Sequence, residues 1–340
     1  MNKQALRADL LLLLTSCIWG FGFVAQRSGM EYVGPFAFNG IRFILGSLSL
    51  IPLILFRRRK GLDLRQSVGG GGTPAFNSFL AGGCLFIAVT FQQGGIMFTT
   101  AGNAGFITGL YVVLVPLLGV FWGKKTGLPT WIGAGCTLTG LYFLSAAGHL
   151  ESINPGDIIT AISAFFWALH VLLIDRLVKT TDPLLLSSGQ FAWCGLFSLI
   201  AALAVEPFFG GWVKTVSPAL YASGLFSWHS LPALITGLSS GSIPGTSLGN
   251  SLIPLLYGGL GSVGVAYTLQ VVAQQHAPPA HATIILCLEG CFAAIGGVLL
   301  LREPLGTWTL LGFCFMLAGM LITQWEVIAG GSGGKKVKNG

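Results

Sequence analysis

Three ionisable side chains lie inside long apolar runs, namely Arg42, His170 and Glu289. An isolated charge at such depth costs roughly 3 kcal/mol on membrane-insertion scales, so each must face a cavity or a partner. The planar guanidinium of Arg42 suits a carboxylate or phosphate. Glu289 suits a cation or a coupling proton, and the imidazole of His170 titrates near neutral pH and suits a proton relay. Two other arrangements fit the same residues: Arg42 and Glu289 bridging to each other, and His170 making an interhelical hydrogen bond.

Uncharged groups surround these three. Helical spacing places Trp19, Gly22, Phe23 and Gln26 on one face, and Trp167, His170 and Ile174 on another. The two tryptophans can stack on an aromatic or apolar solute or hold a cation, or else serve as packed core. Gln93 and Gln270 form a repeated pair, and Gln92, Asn103, Tyr111, Gln190 and Tyr267 add donors and acceptors. Such groups either join helices or face a cavity. The predicted solute site is therefore Trp19, Gln26, Arg42, Gln93, Asn103, Trp167, Gln190 and Gln270, with Glu289 and His170 as proton-coupling candidates.

Other chemistry lacks its residues. Cys287 and Cys291 share a helix face, but no His or Cys pair completes a metal set. The glycine tracts at 69–72 and 102–109 lack the Lys-Ser/Thr end of a phosphate loop, and Gly119 to Lys125 has the wrong glycine spacing. No nucleophile stands beside a base. No catalytic residue, cofactor, metal or nucleic-acid partner is expected.

The elements that must hold these residues follow from composition. Of the 340 residues 53% are hydrophobic and 9% charged, against about 25% charged in a soluble domain. Apolar runs of helical length fall at about 10–29, 36–56, 79–97, 103–121, 130–147, 156–174, 184–206, 250–273, 281–301 and 307–325. A bilayer core takes about 20 residues as helix and leaves no backbone amide unbonded. The chain is thus predicted to be an all-α integral membrane protein of ten transmembrane helices. Lys3 and Arg7 ahead of the first run imitate a signal peptide, but the run continues past Cys17 and is read as a retained span. His276 and His281 flank Pro278-Pro279 and are read as marking a turn.

The chain also repeats itself. At an offset of 148 residues Asp9 meets Asp157, Trp19 meets Trp167 and Pro35 meets Pro183; at 177, Gln93 meets Gln270, Lys125 meets Arg302, and Thr130-Trp131 meet Thr307-Trp308. The halves are 1–150 and 151–328, the second with a long connection at 207–249, followed by a basic tail at 329–340. Five spans per half is odd, so the second half enters the membrane from the opposite side and the repeats are inverted. Placing the N-terminus inside puts fourteen of the eighteen lysines and arginines on the inner side, which predicts both termini cytoplasmic and a cytoplasmic (inner) membrane location.

Taken together, the pattern resembles the EamA-type family of the drug/metabolite transporter superfamily. The likeness rests on Trp19-Gly20, Arg42-Phe43, the stretch Thr99 to Ala104, Leu288-Glu289 and the turn Arg302-Glu303-Pro304-Leu305. Two departures are the length of 207–249 and Gly290-Cys291 where a proline is usual. The resemblance implies a ten-helix carrier, commonly an exporter of amino acids, metabolites or drugs, and leaves the substrate open. The expectation from the whole reading is a secondary carrier that exports a small metabolite, such as an amino acid or other zwitterion, by alternating access, driven by its gradient or by protons. Its partners would be the solute, the lipid bilayer and a coupling proton. A lipid flippase or a non-transporting partner subunit is the rival reading, favoured by a lateral opening and an apolar groove.

Overall fold

The computed structural model describes residues 3–30, 33–61, 73–98, 101–124, 126–145, 155–208, 245–301 and 306–330, with backbone alone at 101–103, 106, 144–145, 245–250, 297, 301, 309 and 323–330. Most of the 207–249 connection, the turn at 302–305 and the tail beyond 330 lie outside the described residues.

Apolar sequence of bilayer length becomes helix throughout. The first half holds α1 (Lys3–Gly29), α2 (Pro35–Arg59), α3 (Pro74–Phe98), α4 (Ala101–Thr108), α5 (Tyr111–Phe121) and α6 (Leu128–Ser145). The second holds α7 (Pro155–Leu177), α8 (Pro183–Ala204), α9 (Gly245–Leu256), a π-helical stretch Tyr257–Tyr267, α10 (Thr268–Ala273), α11 (Pro279–Leu286), α12 (Glu289–Leu301) and α13 (Thr307–Gly330). Among the described residues, seven segments are long and apolar enough to cross a membrane. The α4–α5 pair, α6 and α13 complete ten spans. Leucines such as Leu10, Leu14, Leu48 and Leu299 turn outward, as a lipid-facing surface requires.

Local signals set several ends. Asp182 caps α8, its Oδ1 accepting from Leu184 N at 2.9 Å and Leu185 N at 3.3 Å, with Pro183 in the first turn. Gly61 and Gly123 stop α2 and α5 with φ of 63° and 69°, a region where a Cβ would be strained.

Three expected spans are not plain helices. The spans expected at 103–121 and 281–301 are each interrupted, at residues 109–110 and 287–288, and the one at 250–273 is π-helical over eleven residues. The interruptions lie 178 residues apart, within one residue of the repeat offset. Gly109 lies in the first and Gly290 just beyond the second, and glycine costs a helix about 1 kcal/mol relative to alanine. The π stretch carries Gly258, Gly259, Gly261 and Gly264.

Small residues then decide where helices meet. A Cβ on Gly259 would lie 2.8 Å from Leu45 Cβ, and one on Gly140 would lie 2.6 Å from the carbonyl oxygen of Gly312. Glycine there lets the π stretch close on α2 and lets α6 close on α13. The packing respects the repeat. α2 lies along its equivalent α8 and α6 along its equivalent α13, while α3 packs on α7 as the π stretch packs on α1. The two halves are therefore interleaved, and the largest core cluster draws on both, from Phe43 and Val112 to Phe191 and Ile285.

Candidate functional site

Interleaving brings one face of α1 to the middle of the bundle. With 3.6 residues per turn, Trp19, Phe23 and Gln26 point the same way, and all three line a central cavity. α2 adds Arg42, α7 adds Trp167, α10 adds Gln270 and α12 adds Glu289. The open space is about 30 Å³, room for about one or two waters.

Aromatic rings form its apolar side. Tyr267 lies 4.5 Å from Trp19 and 5.9 Å from Trp167, ring centre to ring centre, and the two tryptophans are 6.3 Å apart. Trp19 Nε1 donates to the carbonyl of Ser262 at 3.4 Å, which ties the ring to the π stretch. Such ring pairs contribute about 1 kcal/mol each beyond their burial.

The two ionisable residues are held by neutral partners. Arg42 is buried, its Nε donating to Asn39 Oδ1 at 2.9 Å and its guanidinium lying 4.9 Å from the centre of the Phe43 ring. Its Nη2 has no hydrogen-bond partner among the described residues. Glu289 is buried too, and its Oε1 accepts from the Tyr111 hydroxyl at 3.1 Å. Among the described residues Arg42 and Glu289 make no ion pair with each other or with any other side chain, so the bridge considered from sequence is not formed. Each sits on a different helix of one cavity.

The remaining candidates divide. His170 Nε2 lies 2.9 Å from Gln190 Oε1, away from the cavity, so these two use each other. Gln93 and Gln270 are equivalent in the repeat but not in place. Gln270 lines the central cavity, whereas Gln93 lies beside a lateral cleft between α2 and α3, and neither amide has a hydrogen-bond partner among the described residues. The side chain of Asn103 lies outside the described residues. Cavity residues not singled out from sequence include Thr108, which accepts from Gln92 Nε2 at 3.3 Å, and Ser262. A lone serine within a glycine-rich apolar run was the available signal for Ser262.

At one end of the bundle two ion pairs and one histidine–aspartate hydrogen bond join the halves. Arg57 of α2 meets Asp182 before α8 at 3.1 Å, Lys124 after α5 meets Asp175 of α7, and His281 of α11 meets Asp9 of α1 at 2.8 Å. His281 thus corrects its reading as a turn marker. It lies inside α11, where helix packing brings it to an aspartate 272 positions away.

Comparison with known proteins bears on this arrangement. Residues 6–146 and 212–325 match the family model described as the EamA-like transporter family. A protein of Archaeoglobus fulgidus named an uncharacterized transporter is 28% identical over 331 residues, 95% of this chain and 88% of its own length. The uncharacterized inner membrane transporter YedA of Escherichia coli (strain K12) is 27% identical over 195 residues, 55% of this chain and 58% of that one. A solved crystal structure superposes with a TM-score of 0.68 at 15% identity, covering 95% of this chain and 98% of the other, a likeness of fold.

Proposed function

The chain belongs to the EamA-like transporter family, and from that membership we propose that it is a secondary carrier of the inner membrane that exports a small zwitterionic metabolite by alternating access. One observation carries this reading. Arg42 and Glu289 share a cavity yet are each held by an uncharged partner, Asn39 and Tyr111. A buried charge left without a counter-charge is costly, and a solute bearing both charges offsets that cost at both residues. The aromatic rings of Trp19, Trp167 and Tyr267 suit the body of such a solute or its cationic group. Glu289 takes the coupling proton when solute leaves, with Tyr111 as its hydrogen-bond donor.

Inverted halves supply the motion, because two near-equivalent packings open the cavity to opposite sides. With both termini cytoplasmic, the end where Arg57 pairs with Asp182 and Lys124 with Asp175 is the inner gate.

The test is uptake and counterflow in proteoliposomes with amino acids, nucleosides and aromatic amines, with and without a pH gradient. Wild-type protein should exchange at least one zwitterion, Arg42→Gln should lose exchange, and Glu289→Gln should exchange without responding to the gradient. Exchange untouched by both substitutions would remove the two charges from the mechanism. Scrambling of labelled lipid in the same vesicles, with no solute exchanged, would assign the protein to the flippases instead.

A further inference from the structure

Beside the Lys124 and Asp175 pair a recess of about 480 Å³ opens between α3, the end of α5 and α7. That volume falls within the roughly 300–1,000 Å³ of small-molecule sites. The recess shares no lining residue with the central cavity.

Its lining changes character along α7. Arg176 and Lys179 stand at one end with Lys124 and Trp122, whereas Leu169, Leu172 and Leu173 form the other with Cys84. Leu169 and Arg176 are seven residues apart, about 10 Å along a helix. A charged end, an exposed indole beside it and an apolar bed beyond repeat the order of a lipid leaflet, in which tryptophan sits at headgroup depth. Local structure aims Lys124 at this place. Gly123, with φ of 69°, turns the chain after α5, and Lys124 N then bonds the carbonyl oxygen of Gly119 at 2.9 Å. A Cβ on Gly119 would lie 3.4 Å from Lys124 Cβ, so glycine leaves the lysine stem its room.

The charges of the recess do not balance. Asp175 is the one carboxylate in the lining, and its Oδ2 accepts from both Lys124 and Lys179, the latter at 3.1 Å. Arg176 is exposed and has no ion-pair partner among the described residues. Lys124, Lys179 and Arg176 against Asp175 alone leave a surplus of positive charge that an anion would complete. A neighbouring recess differs in this respect, because its arginine, Arg57, is already paired with Asp182. The chain's own tail is the wrong sign for the task, since residues 331–340 carry three lysines and no acidic residue.

We propose that this recess binds an anionic phospholipid, whose phosphate accepts from Arg176, Lys124 and Lys179 while an acyl chain lies along Leu169 and Leu173. Basic pockets between membrane helices select anionic headgroups, and the apolar bed distinguishes a lipid from a free anion. The phosphate joins Lys124 of the first half to Arg176 and Lys179 of the second, and so fastens the halves at that end. Binding there is independent of solute transport.

The experiment is photo-labelling of the full chain in nanodiscs of phosphatidylcholine that hold a minor share of phosphatidylglycerol with a diazirine in its acyl chain. Phosphatidylcholine with the same diazirine is the control, and labelled peptides are identified by mass spectrometry. Lipid covers both faces of the disc, so the result does not depend on which face the termini occupy. Two variants accompany the wild type. Arg176→Gln/Lys179→Gln removes two charges from exposed side chains and leaves Lys124 paired with Asp175; Leu169→Trp fills the apolar bed. Phosphatidylglycerol should label the peptides that hold Cys84 or Leu169 to Leu173 well above the control. Label should fall roughly tenfold in the double variant and be lost in Leu169→Trp. Equal labelling by the two lipids would overturn the proposal, as would label unchanged in the double variant. Label displaced by inorganic phosphate, but not by chloride at equal ionic strength, would assign the recess to a soluble anion and overturn it too.

Discussion

The thiol of Cys287 lies 3.4 Å from the carbonyl oxygen of Gly109 and donates to it, so the two helix interruptions touch. Two residues on, the first residue of α5, Tyr111, donates to the first residue of α12, Glu289. Both bonds join one half of the repeat to the matching place in the other. The interruptions therefore cannot shift independently, and the carboxylate of Glu289 is placed by the contact between halves.

Substitution of Cys287 tests that coupling. Cys287→Ser keeps a donor in a slightly smaller side chain and should change stability by only about 1 kcal/mol. Cys287→Leu should cost about 1–3 kcal/mol by overpacking a site with 1% exposure. Thermal melting in detergent compares the two, and equal losses would show that the contact is not tightly packed.

Tyr111→Phe removes the hydroxyl that bonds Glu289 and leaves the ring. Counterflow should survive, because the ring still fills its place, while stimulation by a pH gradient should fall. A gradient response equal to wild type would mean that Tyr111 has no part in coupling.

Asn39→Ala removes the acceptor that orients Arg42 but leaves the guanidinium in the cavity. For whichever solute the panel identifies, KM should rise about tenfold with kcat within about threefold, the signature of lost binding rather than a lost transition-state contact. A fall in kcat at constant KM would contradict a positioning role.

Asp182 has two tasks that substitution separates. Asp182→Asn keeps an acceptor for the start of α8 and loses the pair with Arg57, whose side chain is 28% exposed, so the cost should stay below about 1 kcal/mol. Asp182→Ala also loses the cap, a further loss of about 1 kcal/mol. Melting temperatures should order as wild type, Asn, Ala.

Gly20 tests close approach. A Cβ there would stand 2.7 Å from the carbonyl oxygen of Glu289 and 2.8 Å from Ala293 N. These are backbone atoms that cannot move aside, so Gly20→Ala should push α1 from α12 at a cost of about 1–3 kcal/mol. Gly135, with nothing within 4 Å of its Cβ position, should accept alanine without loss.

Much of the fold is legible in the chain as written. The ten apolar runs, the inverted halves and the face of α1 that carries Trp19 and Gln26 follow from hydropathy, offset and helical period. The interruptions at 109–110 and 287–288 do not, because glycines at 105, 109 and 290 permit a break without requiring one. The π stretch is hidden for the same reason, since an apolar glycine-rich run fits either helix.

The site divides along the same line. Sequence determined that Arg42, His170 and Glu289 lie at membrane depth, since an apolar run commits its whole length to lipid whatever its neighbours are. Only the tertiary structure decided that Arg42 turns to Asn39, Glu289 to Tyr111, His170 to Gln190 and His281 to Asp9. It also parted the equivalent Gln93 and Gln270 between a lateral cleft and the central cavity. Lipid rewards apolar surface without direction, whereas a hydrogen bond depends on how helices rotate and how closely glycine lets them approach, and those relations are settled between segments far apart in the chain.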